Sequence, residues 1–114
     1  MKSRMVEVRE GELLGPIDWS YDFFQHFGGY CCSEEVKHEI CDRRLEVLRK
    51  VEADPTYWTV NTGGFWHPLL SVGMYDGWPF WKPTPALLIM GPMGTEWQFF
   101  YDLQDAEPMS QGEK

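Results

Sequence analysis

Lysine and arginine are the scarce residues of this 114-residue chain. Ten of them stand against 18 aspartates and glutamates, and the formal net charge is -8. That balance argues against sequence-independent binding to a nucleic-acid backbone, which needs cations to displace the phosphate counterions. It leaves two readings, a protein partner with a basic surface or ordinary solubility. Cysteine is scarce as well, with three residues, an odd and low count for a secreted disulfide scaffold. Cys31 and Cys32 are adjacent, and a bridge between neighbours distorts the peptide joining them. No apolar run is long enough to span a bilayer, and none follows the basic residues of the N-terminus as a signal peptide requires. A reduced, cytoplasmic protein is the expectation, with no membrane partner. No phosphate loop is present, because no lysine follows Gly28-Gly29 or Gly63-Gly64 in the required pattern. No cofactor is expected.

Aromatic residues are abundant, at 16% of the chain. They concentrate between Tyr57 and Trp81, a stretch that contains Trp58, Trp66, Trp78 and Trp81. Periodicity sorts these rings only in part. Trp19, Phe23, Phe24 and Phe27 lie at helical spacing after Asp18, a capping residue, and Gly28-Gly29 ends the pattern. Ser33 caps a second, longer helix that runs to about Glu52, with Glu34 and Glu35 suited to its positive end. Asp54-Pro55 stops it. Its apolar residues form two seams, Val36, Ile40, Val47 and Val51 in one and Cys41, Leu45 and Leu48 in the other. Lys37 and Arg44 fall between the seams. Arg44 therefore snorkels outward past its neighbours or reaches a carboxylate beneath it.

After Pro55 the pattern becomes strand and turn. Met5–Arg9 is a further short strand candidate at the other end of the chain. Tyr57–Val60 and Phe65–Tyr75 read as a hairpin around Asn61-Thr62-Gly63-Gly64 whose rings contribute to the core, with Pro68 and Gly73 marking an edge or bulged strand. Ala86–Met90 is apolar throughout and reads as buried on both faces. From Glu96 to Leu103 the chain alternates, with Trp97, Phe99, Tyr101 and Leu103 on one side and Phe100 on the polar side. The fold class is α+β: two N-terminal helices packed on one face of a three- to four-stranded antiparallel meander. The longer helix is expected to pack on Leu87–Met90. Residues 1–103 form the single domain, and 104–114 a polar, flexible tail.

No assembled catalytic signature is present. Cys32 precedes the Ser33 cap, where a helix N-terminus can stabilise a thiolate, and His26 or His67 could serve as its base. A partly buried, unreactive cysteine fits the same residue. Cys31, Cys32, His38 and Cys41 have the residue types of a zinc site but lack its paired chelating loops, so no metal is expected. Two acidic blocks carry no cation: Glu10, Glu12, Asp18, Asp22, Glu34 and Glu35, then Glu96, Asp102, Asp105, Glu107 and Glu113. Tyr75, Trp78, Phe80 and Trp81 sit among turn residues and prolines, as a rigid loop offered to a partner or folded over the core.

The leading expectation is a non-enzymatic, acidic protein-binding module that inhibits or neutralises a partner with a basic surface, of the toxin-immunity or phage anti-defence type. Its contact residues would be Tyr75, Trp78, Phe80, Trp81, Glu10, Glu12, Asp18, Asp22, Asp102 and Asp105. The alternatives are a small enzyme or ligand-binding domain with an aromatic pocket between the meander and the short helix, and a homo-oligomeric subunit, such as a homodimer, that buries the loop itself.

Overall fold

A computed structural model describes residues 12–13, 15–27, 32–77 and 80–109, with residues 12–13 described by their backbone alone. One helix, α1 (Glu34–Glu52), packs on an antiparallel sheet. The strands are β1 (Glu12–Leu13), β2 (Trp58–Thr62), β3 (Phe65–Asp76), β4 (Thr84–Gly91), β5 (Gly94–Phe99) and β6 (Leu103–Pro108). Five of them run in the order β5-β4-β3-β2-β6, and β1 pairs with the end of β3.

Strand β3 is central and changes partner along its length. It pairs with β2 from Phe65 to Pro68 and with β4 from Leu69 to Tyr75. The ladder with β4 slips between Leu69 and Ser71, a bulge that bends the strand. Pro68 fits this strand because β4 pairing starts only at Leu69, so no bond on that side needs its missing N–H. The β2–β3 turn is Gly63-Gly64, with φ of 65° and 99°. Two successive left-handed residues match the right-handed strand twist, and glycine adopts that backbone without strain.

The link between the two outer strands shows how far the sheet curls. β5 and β6 lie at opposite ends of the strand order, yet only a 3-10 turn, Phe100–Asp102, joins them. Outer strands of a flat five-stranded sheet stand about 19 Å apart, at roughly 4.8 Å per neighbour. A 3-10 turn advances about 2 Å per residue, or about 8 Å over this link. The sheet must therefore curl until its edges approach one another.

Helix α1 starts where the sequence places it. Ser33 is its N-cap, and the hydroxyl accepts a bond from the Val36 N–H at 3.2 Å. The helix rests on β6 and on the 3-10 turns Phe23–Phe27 and Phe100–Asp102, with a third, Pro55–Tyr57, at its C-terminal end, rather than chiefly on β4. Its buried residues are Cys41, Val47, Leu48 and Val51. The core they enter includes Phe23, Phe27, Val60, Leu69, Leu87, Ile89, Phe100 and Leu103. Val36, placed in a seam by the angular map, is 40% exposed. Arg44 does not snorkel outward: its Nη1 donates to the Leu103 carbonyl at 2.9 Å, and its charge is felt at the Asp102 carboxylate without an ion pair among the described residues. The helix C-terminus is clamped by Glu52, whose carboxylate accepts from the Ile17 N–H and the Trp19 indole, both at 3.2 Å.

Several sequence expectations fail for local reasons. The first helix is a turn followed by the 3-10 segment Phe23–Phe27. Asp18 draws the chain into that turn: its Oδ1 accepts from the Ser20 N–H at 3.0 Å and from the Ser20 hydroxyl at 2.6 Å. Short polar side chains compete with the helix in this way. The sheet has five strands on its main path rather than three or four, because residues 103–108 of the expected tail pair with β2 as β6. The alternation from Glu96 breaks at the 3-10 turn. Phe100 becomes fully buried, while Trp97, Phe99 and Tyr101 stay half-buried. Met90 is 43% exposed, so β4 is not apolar on both buried faces to its end. On the helix surface the Lys37–Glu34 pair closes at 3.2 Å. Met5–Arg9, Gly28-Gly29 and residues 110–114 lie outside the described residues.

Candidate functional site

Two surfaces carry chemistry, one on the curled sheet and one beside the first 3-10 turn. The sheet surface follows from register. Residues directly opposite one another in an antiparallel pair share a face. Across β6, β2 and β3, Asp105 faces Asn61 and Asn61 faces Trp66. One row along, Glu107 faces Thr59 and Thr59 faces Pro68. The intervening residues Val60, Thr62, Leu103 and Ala106 point to the core and are buried. The two rows therefore lie on the outer face. Asp105, Glu107, Pro68 and Trp66 are exposed there, Trp66 by 43%. Phe65, next to the turn, is 71% exposed. No lysine or arginine occurs in β2, β3 or β6.

The second surface is an aromatic pocket of about 240 Å³ lined by Tyr21, Gln25, His26, Phe80, Trp81, Lys82 and Thr84. The Asp18 turn delivers Tyr21, whose hydroxyl meets His26 Nε2 at 2.7 Å. His26 stacks on Tyr101 at 4.8 Å and meets the edge of Phe100 at 5.2 Å. Phe80 packs against Phe99 at 4.8 Å and approaches His26 at 6.3 Å. Lys82 Nζ lies 5.5 Å from the centre of the Tyr21 ring. Burial holds the His26 pKa below its usual 6.5, and the Lys82 charge adds to that while Asp22 opposes it. At neutral pH the imidazole is therefore uncharged, and Tyr21 can donate to it. Burial raises the Tyr21 and Tyr101 pKa values, so both phenols keep their protons. A larger depression of about 820 Å³ lies along the outer side of α1, but only residues of that helix line it, among them Glu39, Arg43, Glu46 and Arg49. It is an open charged helix face.

The expected contact loop divides. Trp81 is 92% exposed. Tyr75 is 2% exposed, packed against Trp97 at 4.7 Å and Phe99 at 5.3 Å, and so belongs to the interior. Phe80 is half-buried, and Trp78 lies outside the described residues. Conversely, the hairpin expected to send its rings inward exposes Tyr57, Phe65 and Trp66. Among the acidic candidates Asp18, Asp22, Asp102 and Asp105 are exposed. Asp18 is engaged with Ser20, which lowers its pKa. Although Asp102 is exposed over the residue as a whole, loss of water around its carboxyl group raises its pKa, and the Arg44 charge opposes the rise. Glu10 lies outside the described residues, and the Glu12 backbone pairs with Asp76.

The thiol and metal candidates do not converge. Cys41 is buried and its thiol is pushed up, mainly by burial. Cys32 is exposed ahead of the cap. His38 stacks on Phe24 at 4.0 Å. Cys31 lies outside the described residues. Among the described residues no three His, Cys, Asp or Glu side chains could share a metal. His67 sits opposite Val60 on the core side of the hairpin, eight residues along β3 from Tyr75. Of the proposed reactive groups only His26 enters the aromatic pocket.

No protein-family model, curated protein or solved structure matches the chain. Among the described residues no helix is long and apolar enough to cross a membrane. Sequence reasoning missed Trp66, Glu107, Tyr21 and Lys82. Trp66 had a readable signal, since the Gly63-Gly64 turn fixes its partner and therefore its face.

Proposed function

We propose that the protein is an acidic protein-binding module, and that it acts by occupying and neutralising a basic, partly apolar surface of a partner protein. The observation that carries this reading is the outer face of β6, β2 and β3. Two carboxylates, Asp105 and Glu107, stand in cross-strand rows with the exposed Trp66 and Pro68, and none of the three strands contains a lysine or arginine. An indole supplies contact area at low entropic cost, and flanking carboxylates steer a positively charged partner and reject a negative one. The net charge of -8 acts in the same direction at longer range.

The test is affinity capture from the native source with the full chain at low salt, repeated with Asp105→Asn/Glu107→Gln and with Trp66→Ala. A single basic protein should be recovered by the unmodified chain and lost with each variant. It should also elute as the Debye length shrinks from about 10 Å towards about 3 Å with added salt. If the captured protein stays bound to both variants, the outer face is not the contact surface.

The aromatic pocket with its Tyr21–His26 pair gives a second reading, a small ligand-binding domain. No serine or cysteine lines the pocket, and the Thr84 hydroxyl is buried and donates to the Lys82 carbonyl at 3.1 Å, so the site suits binding rather than covalent chemistry.

A further inference from the structure

Lys82 is the only lysine or arginine between Lys50 and Lys114. In so acidic a chain it would be expected to hold a carboxylate. Among the described residues none pairs with it, and its ammonium instead rests over the Tyr21 ring at the rim of the aromatic pocket. Trp81, next to it, is 92% exposed. An indole and an ammonium thus stand together at the mouth of one cavity, the ammonium without a carboxylate among the described residues.

We propose that this pocket is a binding site for a small aromatic carboxylate, with the ring held among Tyr21, Phe80 and Trp81 and the carboxylate on Lys82. Size, shape and charge each restrict the ligand. At about 240 Å³ the cavity lies below the roughly 300–1,000 Å³ of pockets that hold drug-sized molecules. That suits a single ring. Four of its seven lining residues are aromatic or imidazole, so a flat ligand gains stacking and edge contacts. Lys82 is the one charged group among the lining residues, and it is positive. An amine or guanidine would meet repulsion there with no lining carboxylate to hold it. A phosphate dianion would find a single ammonium among the lining residues for its two charges. A carboxylate matches one ammonium with one charge. The Tyr21 hydroxyl, the neutral His26 and the Thr84 hydroxyl supply polar positions for a ring substituent.

Benzoate, benzamide and benzamidine share one shape and carry charges of opposite sign or none, so they serve as probes. Each is titrated into the isotope-labelled full chain and followed by amide and indole N–H chemical shifts. Benzoate should shift Trp81, Lys82 and Tyr21 and approach saturation at about 10 mM or below. Benzamide should bind more weakly, and benzamidine should leave these signals in place. Lys82→Gln should weaken benzoate about tenfold or more, the effect of losing one charge-assisted contact. Lys82 is exposed and makes no ion pair among the described residues, so this variant should fold, and an unchanged spectrum elsewhere verifies it. Three results overturn the proposal: no shifts with benzoate, benzamidine binding as well as benzoate, or benzoate binding Lys82→Gln as tightly as the unmodified chain. Lys82 lies outside the β6-β2-β3 face, so the outcome bears on the pocket and not on the protein-binding reading.

Discussion

Replacing Phe100 by alanine should be among the most damaging single changes in this chain. Its ring is fully buried. It meets Phe23 edge-on at 5.0 Å and His26 at 5.2 Å, and it also contacts Tyr21, Phe27 and Tyr101. It sits in the 3-10 turn that joins the two outer strands, so the cavity would open where the curled sheet closes. Truncating a buried phenylalanine costs about 3–5 kcal/mol, and how far the walls can collapse decides where in that range it falls. Collapse is poor here, because the surrounding rings are rigid and already in contact with one another. The expected loss is therefore about 4 kcal/mol, a large part of the roughly 5–15 kcal/mol typical of a whole domain. The adjacent Tyr101→Ala is the informative comparison. That ring is half-buried and rests mainly on His26, at 4.8 Å. Losing it should cost about 1–2 kcal/mol from one ring pair and partial burial. Guanidinium unfolding of both variants, followed by tryptophan fluorescence and circular dichroism, measures the difference. A larger loss for Tyr101→Ala than for Phe100→Ala would refute the inward placement of Phe100.

Two further outcomes are expected. Arg44→Met should cost about 1.5–3 kcal/mol in the same assay, because the Leu103 carbonyl then loses a charged donor at 2.9 Å; a neutral substitution would mean that the carbonyl finds another partner. Stability should also depend on His26 through pH. Its folded pKa is depressed, so the unfolded chain binds the proton more readily, and the contribution is fully present above about pH 6.5 and is lost as pH falls through the folded value. The groups around the imidazole are the Tyr21, Phe80, Phe100 and Tyr101 rings, with Lys82 opposing protonation and Asp22 favouring it. Unfolding melts across that window should show His26→Phe losing part of this slope, and an unchanged slope would place the titration elsewhere.

Local signals carried the regular elements. Ser33, the two glutamates after it and Asp54-Pro55 bound α1 to within a residue, because caps and proline act within one turn of chain. Gly63-Gly64 likewise fixed the hairpin. The facing of the rings was not legible from such signals. Phe100 lies on the polar side of an alternating run, and only the 3-10 turn, which depends on closure of the sheet, rotates it inward. Leu103–Pro108 has only two aliphatic residues among six, Leu103 and Ala106, so hydrophobic pattern alone reads it as a tail. An edge strand paired on one side needs few apolar residues, and Leu103 with Ala106 suffices to anchor this one. Trp66 was lost to an assumption that aromatic density means burial. The pocket brings Tyr21 and His26 to Phe80 and Lys82 across more than fifty residues, and no spacing rule reaches that far.

The distribution of charge follows from the same architecture. Helix α1 holds five of the cations, Lys37, Arg43, Arg44, Arg49 and Lys50. Most are committed: Lys37 to Glu34, Arg44 to the Leu103 carbonyl, Arg49 to the face of Trp19 at 4.0 Å and Lys50 to the face of Trp58 at 5.3 Å. Three of them thus fasten the helix to its surroundings, and among the described residues the outer sheet face carries Asp105 and Glu107 with no lysine or arginine. Lys82 is placed away from the helix and held by no acid among the described residues. The two proposed surfaces consequently differ in sign within one small domain, and added salt acts on them differently. A basic partner is attracted both by Asp105 and Glu107 and by the net charge, so screening weakens both and the affinity falls steeply. A small carboxylate is attracted by Lys82 and repelled by the rest of the chain. Screening reduces both terms, and its affinity should change little.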